Sequence, residues 1–327
     1  MVFKNAQILK IFFQICTYNA ISVKKIQFIR MLDYRSWGSM YGGLWQALEP
    51  LYGQVEAQAV SRYVLEQLSG KEWFALRQAF DAPPAPPQAA RLRRMLPRLL
   101  QAEPVQYVTG TAHFYGREFV VNPAVLIPRG ETEELMCWIR DTITASAESK
   151  TWRILDLGTG SGCIPVSLGL ELEARHIGAE LYGTDLSAAA LEVASQNARK
   201  HGLAVKWEQQ NIFEATAAHY RDMDVVVSNP PYIPLHEKDS LARHVVEYEP
   251  AQALFVPDED PLIFYRRILE LAASWLAAGG YLFFEIHESQ GAAVRALFEQ
   301  PTWEAVELRQ DIHGKDRMLR ARKAIKP

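Results

Sequence analysis

"ILDLGTGSGCIPVSLG", Ile154 to Gly169, is the stretch on which the fold of this chain turns. An apolar run around Asp156 reads as a buried strand, the glycines as a tight turn, and the apolar stretch after them as the start of a helix. Gly158, Thr159, Gly160 and Gly162 make the turn, where glycine lets the backbone approach a ligand that a Cβ would repel. Amides exposed at the head of the helix can then meet a polar or anionic group. The spacing is G-x-G-x-G, not the G-x-G-x-x-G of dinucleotide binders. Taken alone, the turn fits an unliganded strand-to-helix connection as well as a binding loop.

Working outward, the chain alternates from residue 131 onward. The segments "WRILDLG", "ELYGTDL", "AVKWEQ", "DVVVSN" and "GYLFFEI" read as strands, and two more strands close the chain. Helical stretches fall at Glu131 to Thr144, after Gly162, at Ser187 to Lys200, at Pro261 to Ala277 and at Gln290 to Phe298. This alternation predicts an α/β fold, a Rossmann-like seven-stranded mostly parallel sheet with helices on both faces. Upstream, from Tyr41 to Gln101, Leu44, Leu48, Leu51, Val60, Val64 and Leu68 recur at helical spacing, so a small all-helical domain precedes the sheet. "DAPPAPP" (Asp81 to Pro87) separates two of its helices, and "HFYGREFVV" (His113 to Val121) reads as a β-hairpin turning near Gly116. The expected division is an extra segment over 1–32, a helical domain over 33–109, a hairpin linker over 110–130 and the sheet domain over 131–327.

Composition narrows the function classes. Of 327 residues 49% are apolar, enough for one sizeable core and a smaller one, and the formal charge of −3 gives no global basic field for nucleic acid or an anionic membrane. Residues 1–32 hold no acid but contain Lys4, Lys10, Lys24, Lys25 and Arg30; without these five the charge goes from −3 to −8. Their uncharged run, Ile11 to Val23, is too short and polar to span a bilayer. The segment reads as a frayed tail or as sequence ahead of a start at Met31; a signal or transit peptide is the weaker reading, with no clear cleavage-site pattern and little Ser or Arg. Cys16, Cys137 and Cys163 are far apart and in no metal-ligand spacing, which argues against zinc and disulfides and fits a cytoplasmic protein without a metal.

In a parallel sheet, ligands bind at the carboxyl ends of the strands. Asp185 stands at such an end in "YGTDLS", where an acid accepts hydrogen bonds from ribose hydroxyls; it can equally serve the helix that opens at Ser187. Asp156 occupies a position that should be buried, so it requires donors nearby, and a cationic ligand would be a natural partner. These features suit a nucleoside whose far end is not a pyrophosphate, and S-adenosylmethionine fits better than NAD. In "VVVSNPPYIP", Val225 to Pro234, a strand ends in two prolines that stiffen the exit from the sheet. A planar nitrogen is a poor nucleophile, and two fixed acceptors for its hydrogens would help it. The Asn229 side-chain oxygen and the Pro230 carbonyl can supply them, with Tyr232 packed on the flat face of the group being methylated. Alone, the same four residues fit an Asx-type turn.

These residues together resemble the release-factor glutamine methyltransferases, of the class I S-adenosylmethionine-dependent fold. The resemblance runs from about Tyr41 to the C-terminus through "PVQYVTGTAHFYGREFVVNPAVLIPRGETEEL", "LDLGTGSGCIPVSLG", "GTDLSAAALEVASQNA", "SNPPYIP", "YEPAQALFVPDEDPLIFYRRI", "GYLFFEIHESQG" and "DIHGKDRML". It implies methylation of the glutamine side-chain amide in the Gly-Gly-Gln loop of class I release factors, with 131–327 as the methyltransferase domain and 33–109 helping to dock the substrate. Carried over by position, Asn229, Pro230, Pro231 and Tyr232 would hold the glutamine. Gly158, Thr159, Gly160, Gly162, Asp156, Asp185, Asn211, Ile212, Phe213 and Asn229 would hold the cofactor. Arg129, Glu131 and Thr132 would lie near both; their bland readings are a pair of Arg129 with Glu131 or Glu133 and a helix start at Thr132. Departures from the family pattern are Gly130 for a proline, Asn211 for an acid at the adenine pocket, and Pro257 and Asp258 for paired glycines. A monomer without stable nucleic-acid binding is expected.

Rival readings are a ribosomal-protein glutamine methyltransferase, a nucleic-acid exocyclic-amine methyltransferase and a non-catalytic S-adenosylmethionine-binding protein. The second wants a basic groove, for which the best candidate is Arg91, Arg93, Arg94 and Arg98 in "RLRRMLPR".

Overall fold

The computed structural model describes residues 33–146 and 150–325, so the segment 1–32, expected to be an extra piece, lies outside the described residues. The chain divides into two compact units, Met1–Thr109 and Gly110–Pro327. The described part of the first is helical throughout: α1 (Trp37–Tyr52), α2 (Gln54–Ser69), α3 (Trp73–Gln78), α4 (Pro86–Leu99) and α5 (Val105–Thr109). Ser36 starts α1 through a capping box, accepting from the Ser39 amide at 3.1 Å while its own amide donates to Ser39 Oγ at 3.0 Å. Trp37, Met40, Leu44 and Leu48 then fall on one face and pack with Val64, Leu65 and Leu68 of α2 and Leu92, Leu96 and Leu99 of α4. Leu51, counted with that face in the sequence, is exposed, because α1 ends one residue later and Gly53 turns the chain away. The proline-rich break lies between α3 and α4, and Pro86 opens α4 where its missing N–H costs nothing.

The second unit begins with a hairpin, β1 (Thr111–Phe114) and β2 (Arg117–Val120), turning on Tyr115 (φ 50°) and Gly116 (φ 68°). Two left-handed residues in succession match the twist of a tight hairpin. The main sheet contains β3 (Trp152–Leu157), β4 (Ala179–Asp185), β5 (Val205–Gln209), β6 (Met223–Ser228), β9 (Leu276–Glu285), β10 (Trp303–Gln310) and β11 (Asp316–Lys323), in the order β10-β11-β9-β6-β3-β4-β5. Pairings are parallel from β5 to β9, and β11 is antiparallel to both neighbours. Helices α6 (Gly130–Ala145), α7 (Cys163–Glu173), α8 (Ala188–Lys200), α9 (Arg243–Tyr248), α10 (Ile263–Trp275) and α11 (Gly291–Ala296) complete the unit.

Successive strand residues serve opposite cores, which is why these strands read as continuous apolar runs. Leu155, Val226, Leu282 and Phe284 pack on Tyr265, Ile268, Ala272 and Trp275 of α10. Ile154, Val225, Val227 and Phe283 pack on Leu135, Trp138 and Ile139 of α6 and Ile164, Val166 and Leu168 of α7. Register then builds the site. Leu157 stands opposite Thr184 on one side and Ser228 on the other, so Gly158, Asp185 and Asn229 leave the sheet side by side. They leave it where strand order reverses about β3, the place where open α/β sheets bind ligands. One pairing had no counterpart in the sequence pattern: β7 (Ile233–Pro234) with β8 (Phe255–Val256), each too short to show a period.

Candidate active site

A cleft of about 970 Å³, part of it open to solvent, follows these strand ends. Gly158 and Gly160 form part of its wall at φ 73° and 54°, and a Cβ on either would meet no protein atom within 4 Å. That open space is what a ligand would take, and the positive φ is what keeps other residues out. Gly162 differs: at φ 76° its added Cβ would stand 3.0 Å from the Trp207 ring, so it serves the packing of α7 and is not on the cleft wall.

Asp185 is held by the loop it faces. Its Oδ2 accepts from the Gly160 amide and its Oδ1 from the Ser187 amide, both at 2.9 Å, which leaves a lone pair on each oxygen for paired hydroxyls in the cleft. Burial pushes its carboxyl up, and those backbone donors pull it back. Beyond it Leu186, Ile212, Phe213 and Phe264 line an apolar slot, with the Phe213 and Phe264 rings 5.2 Å apart. Asn211 borders the slot, but its Oδ1 caps the Phe213 amide at 3.1 Å and its Nδ2 bonds Glu214 at 2.9 Å. It shapes the wall at least as much as it offers an acceptor. The glycine wall, the twin acceptors of Asp185 and the apolar slot fit the ribose and base of S-adenosylmethionine.

Asp156 and Thr159 are not on that wall. Both are buried beneath the loop, where Thr159 Oγ1 donates to Asp156 Oδ2 at 2.6 Å and Asp156 Oδ1 has no hydrogen-bond partner among the described residues. Burial pushes the Asp156 carboxyl up to about 7.

On the other side of β3 the exit of β6 is braced by a chain of three hydrogen bonds. Asn229 Nδ2 donates to Thr132 Oγ1 at 3.2 Å, Thr132 Oγ1 donates to Glu285 Oε2 at 2.6 Å, and Tyr232 OH donates to Glu285 Oε1 at 3.1 Å. Glu285 is fully buried, which raises its carboxyl, while the bonds from Thr132 and Tyr232 and the charge of Arg317 lower it. Burial and the neighbouring Glu285 charge raise the Tyr232 phenol, so it stays protonated. Arg129 pairs with neither Glu131 nor Glu133: its Nη2 meets Glu249 Oε1 at 2.5 Å, and the other Glu249 oxygen takes the Ile127 amide at 3.1 Å. Gly130, with no proline ring to stiffen the entry, opens α6 directly after the anchored Arg129. Asp258 likewise anchors its loop, accepting from the amide and Nδ1 of His236 at 2.9 and 2.8 Å. Glu131 sits in the first turn of α6 and lines neither cavity.

Asn229 and Pro230, with Leu126 and Ala253, also line a second pocket of about 680 Å³, which Arg129, Tyr232, Leu241 and Val245 complete. Pro231 borders only the first cavity and Tyr232 only the second. The Asn-Pro corner, with Leu126 and Ala253, forms the wall the two share. Glu285 and Glu249 were missed in the sequence, although an acid closing the apolar run "YLFFE" repeats the pattern of Asp156 and Asp185.

Residues 141–254 match the family model described as "Methyltransferase small domain", and residues 46–110 match "PrmC N-terminal domain". A release factor glutamine methyltransferase of Bacteroides thetaiotaomicron is 38% identical over 276 residues, covering 84% of this chain and 96% of the relative. The chain belongs to the release factor glutamine methyltransferase family. A Flavobacterium psychrophilum protein of the same name is 36% identical, covering 84% of this chain and 95% of its own length; one from Bacillus anthracis is 41% identical, covering 66% and 75%. Members of the release factor glutamine methyltransferase family are S-adenosylmethionine-dependent protein methyltransferases, and S-adenosylmethionine is the cofactor here. No helix among the described residues is long and apolar enough to cross a membrane. The arginine cluster of α4 is largely engaged within its own unit. Arg98 pairs with Glu103 at 2.5 Å, Arg91 donates to the Thr109 carbonyl at 3.2 Å, and Arg93 lies 4.2 Å from the Tyr34 ring centroid.

Proposed function

We propose that this chain transfers a methyl group from S-adenosylmethionine to the side-chain amide nitrogen of the glutamine in the Gly-Gly-Gln motif of class I peptide chain release factors. One observation carries the reading: a cleft suited to a nucleoside and a second pocket suited to a side chain share one wall, and Asn229 and Pro230 are its polar part beside Leu126 and Ala253. When bound, S-adenosylmethionine supplies a methyl carbon made electrophilic by its positive sulfur; the electrons of the broken S–C bond stay with the product S-adenosylhomocysteine, and the methylated nitrogen sheds one proton.

Gly158 and Gly160 give the cofactor its close backbone approach, Asp185 takes the ribose hydroxyls, and Ile212, Phe213 and the border residue Asn211 flank the base. Asp156, Thr159 and Gly162 act from beneath by fixing the loop. On the substrate side, Asn229 Oδ1 and the Pro230 carbonyl accept the two hydrogens of the glutamine amide. That holds the amide plane so that the nitrogen faces the shared wall, and alignment of this kind supplies much of the rate. Pro231 stiffens the corner, and Tyr232 walls the pocket with its hydroxyl tied to Glu285. Arg129, through Glu249, closes the far side. Glu131 contributes charge at the head of α6 and lines neither cavity. On this reading the protein acts as a monomer on release factors in the cytoplasm, with residues 33–109 helping to dock the substrate.

Incubation with labelled methyl donor and, separately, purified release factor, ribosomal protein, tRNA or rRNA, and duplex DNA tests the substrate class. Label on the release factor is expected. Label only on nucleic acid or on a ribosomal protein would overturn the reading, and label on nothing would leave a binding protein.

A further inference from the structure

An asparagine side chain is nearly symmetrical in shape, yet one end donates hydrogen bonds and the other accepts them. Only the accepting end can take a hydrogen from a substrate amide. Turned about its terminal bond, Asn229 would point its own N–H groups at those of the substrate, and no bond would form. Packing alone does not choose between the two ends, since oxygen and NH₂ differ little in size.

The bonds around Glu285 do choose. Thr132 Oγ1 and Tyr232 OH each carry one hydrogen, and each directs it at a different oxygen of the buried Glu285 carboxylate, at 2.6 and 3.1 Å. With its hydrogen committed, the Thr132 hydroxyl has only lone pairs left to offer. The Asn229 side chain 3.2 Å away must therefore present Nδ2 to it, which turns Oδ1 toward the cavities. The groups belong to separate elements: Thr132 to the first turn of α6, Glu285 to the end of β9, and Asn229 and Tyr232 to the exit of β6. The Glu285 backbone is itself held, its carbonyl accepting from Tyr265 OH at 3.3 Å.

We propose that Glu285 and Thr132 are positioning residues which, by fixing the direction of these hydrogen bonds, set the accepting end of Asn229 toward the substrate. The inference rests on the amide-methylation reading above and adds to it the device that orients the acceptor. Thr132 lines neither cavity; it acts through Asn229.

Thr132→Val keeps the shape and removes the hydroxyl, and Thr132→Ser keeps the hydroxyl and removes a methyl. With the release factor as substrate, Thr132→Val should lower kcat about fivefold, the ordinary worth of one hydrogen bond. Cofactor affinity should stay within about twofold of wild type, the ordinary result where no ligand contact is lost. Thr132→Ser should recover most of the rate. Glu285→Gln, which must place an NH₂ against one of the two hydroxyls, should also lower kcat. A readout independent of turnover is the exchange of the Asn229 side-chain amide hydrogens by NMR: slowed in the wild type and in Thr132→Ser, faster in Thr132→Val. Wild-type kcat in Thr132→Val, or equal loss in the Val and Ser variants, would overturn the proposal. If the wild type methylates no release factor, the functional reading fails instead, and the NMR comparison still decides whether Thr132 orients Asn229.

Discussion

Asn197 is expected to be worth more to the second unit than any exposed residue of α8. Its side chain is fully buried: Oδ1 accepts from the Val120 amide at 2.7 Å, and Nδ2 donates to the carbonyls of Val120 and Ser161, both at 2.9 Å. It thus completes the open edge of β2 as another strand would, and fastens the hairpin to the glycine loop through one amide. Asn197→Ala removes all three bonds. At about 1 kcal/mol net for each, their loss costs about 3 kcal/mol, and the Ser161 carbonyl, left buried without a donor, adds roughly 1–2 kcal/mol. The total of about 4–5 kcal/mol is a large part of a typical domain stability of about 5–15 kcal/mol. Equilibrium urea unfolding measures it. Asn197→Asp sharpens the test, because it keeps the shape but sets an acceptor against two carbonyls; it should be no more stable than Ala. Since Asn197 is not on the cleft wall, cofactor affinity should fall only severalfold, through the loosened loop at Ser161. A loss below about 1 kcal/mol in Ala, or an Asp variant more stable than Ala, would refute the reasoning.

Two further outcomes follow from the acids of the glycine loop. Asp185→Ala should weaken cofactor binding at least tenfold by calorimetry, since bonds to a charged acceptor are worth about 1.5–3 kcal/mol each; equal affinity would remove Asp185 from the cofactor site. Asp156→Asn should raise stability at pH 8. Burial lifts the folded carboxyl from 3.8 to about 7, so ionisation opposes folding increasingly as pH rises between those values and is fully adverse above the higher one. At about 1.4 kcal/mol per tenfold in proton affinity, the penalty is capped at about 4 kcal/mol. Melting curves of the two proteins should therefore separate at pH 8 and converge toward pH 4, and a constant gap would show that Asp156 is not the group responsible.

The sheet was legible because strands buried on both faces leave unbroken apolar runs, and the glycines and prolines mark where those runs end. Gly158, Gly160, Asp185 and Asn229 could be named in advance because ligands gather at strand ends, and register brings those ends level. The pairs that brace the corner were not legible. Thr132 and Glu285 stand 153 residues apart and meet because α6 packs on β9, and Arg129 and Glu249, 120 apart, meet only in the folded chain. Local reasoning offered Arg129 a near partner, Glu131 or Glu133, but Glu133 Oε1 takes the Tyr115 amide at 2.8 Å. Asp156 was read toward a ligand cation. A hydroxyl three residues on supplies its donor, a contact that follows from how the glycine turn folds back. The short β7–β8 pair stayed invisible for want of residues to carry a period.

On the function proposed above, the Asn229–Pro230 corner accepts the hydrogens of a glutamine amide across the wall shared by the two cavities. Mass spectrometry of a release factor incubated with S-adenosylmethionine and either wild-type or Asn229→Ala protein tests it most directly, with donor affinity measured in parallel. The account predicts methylation at the Gly-Gly-Gln glutamine by the wild type, and a variant that binds the donor normally yet transfers at least about 100-fold more slowly, the usual cost of a lost transition-state acceptor or donor. Undiminished transfer by Asn229→Ala would contradict it.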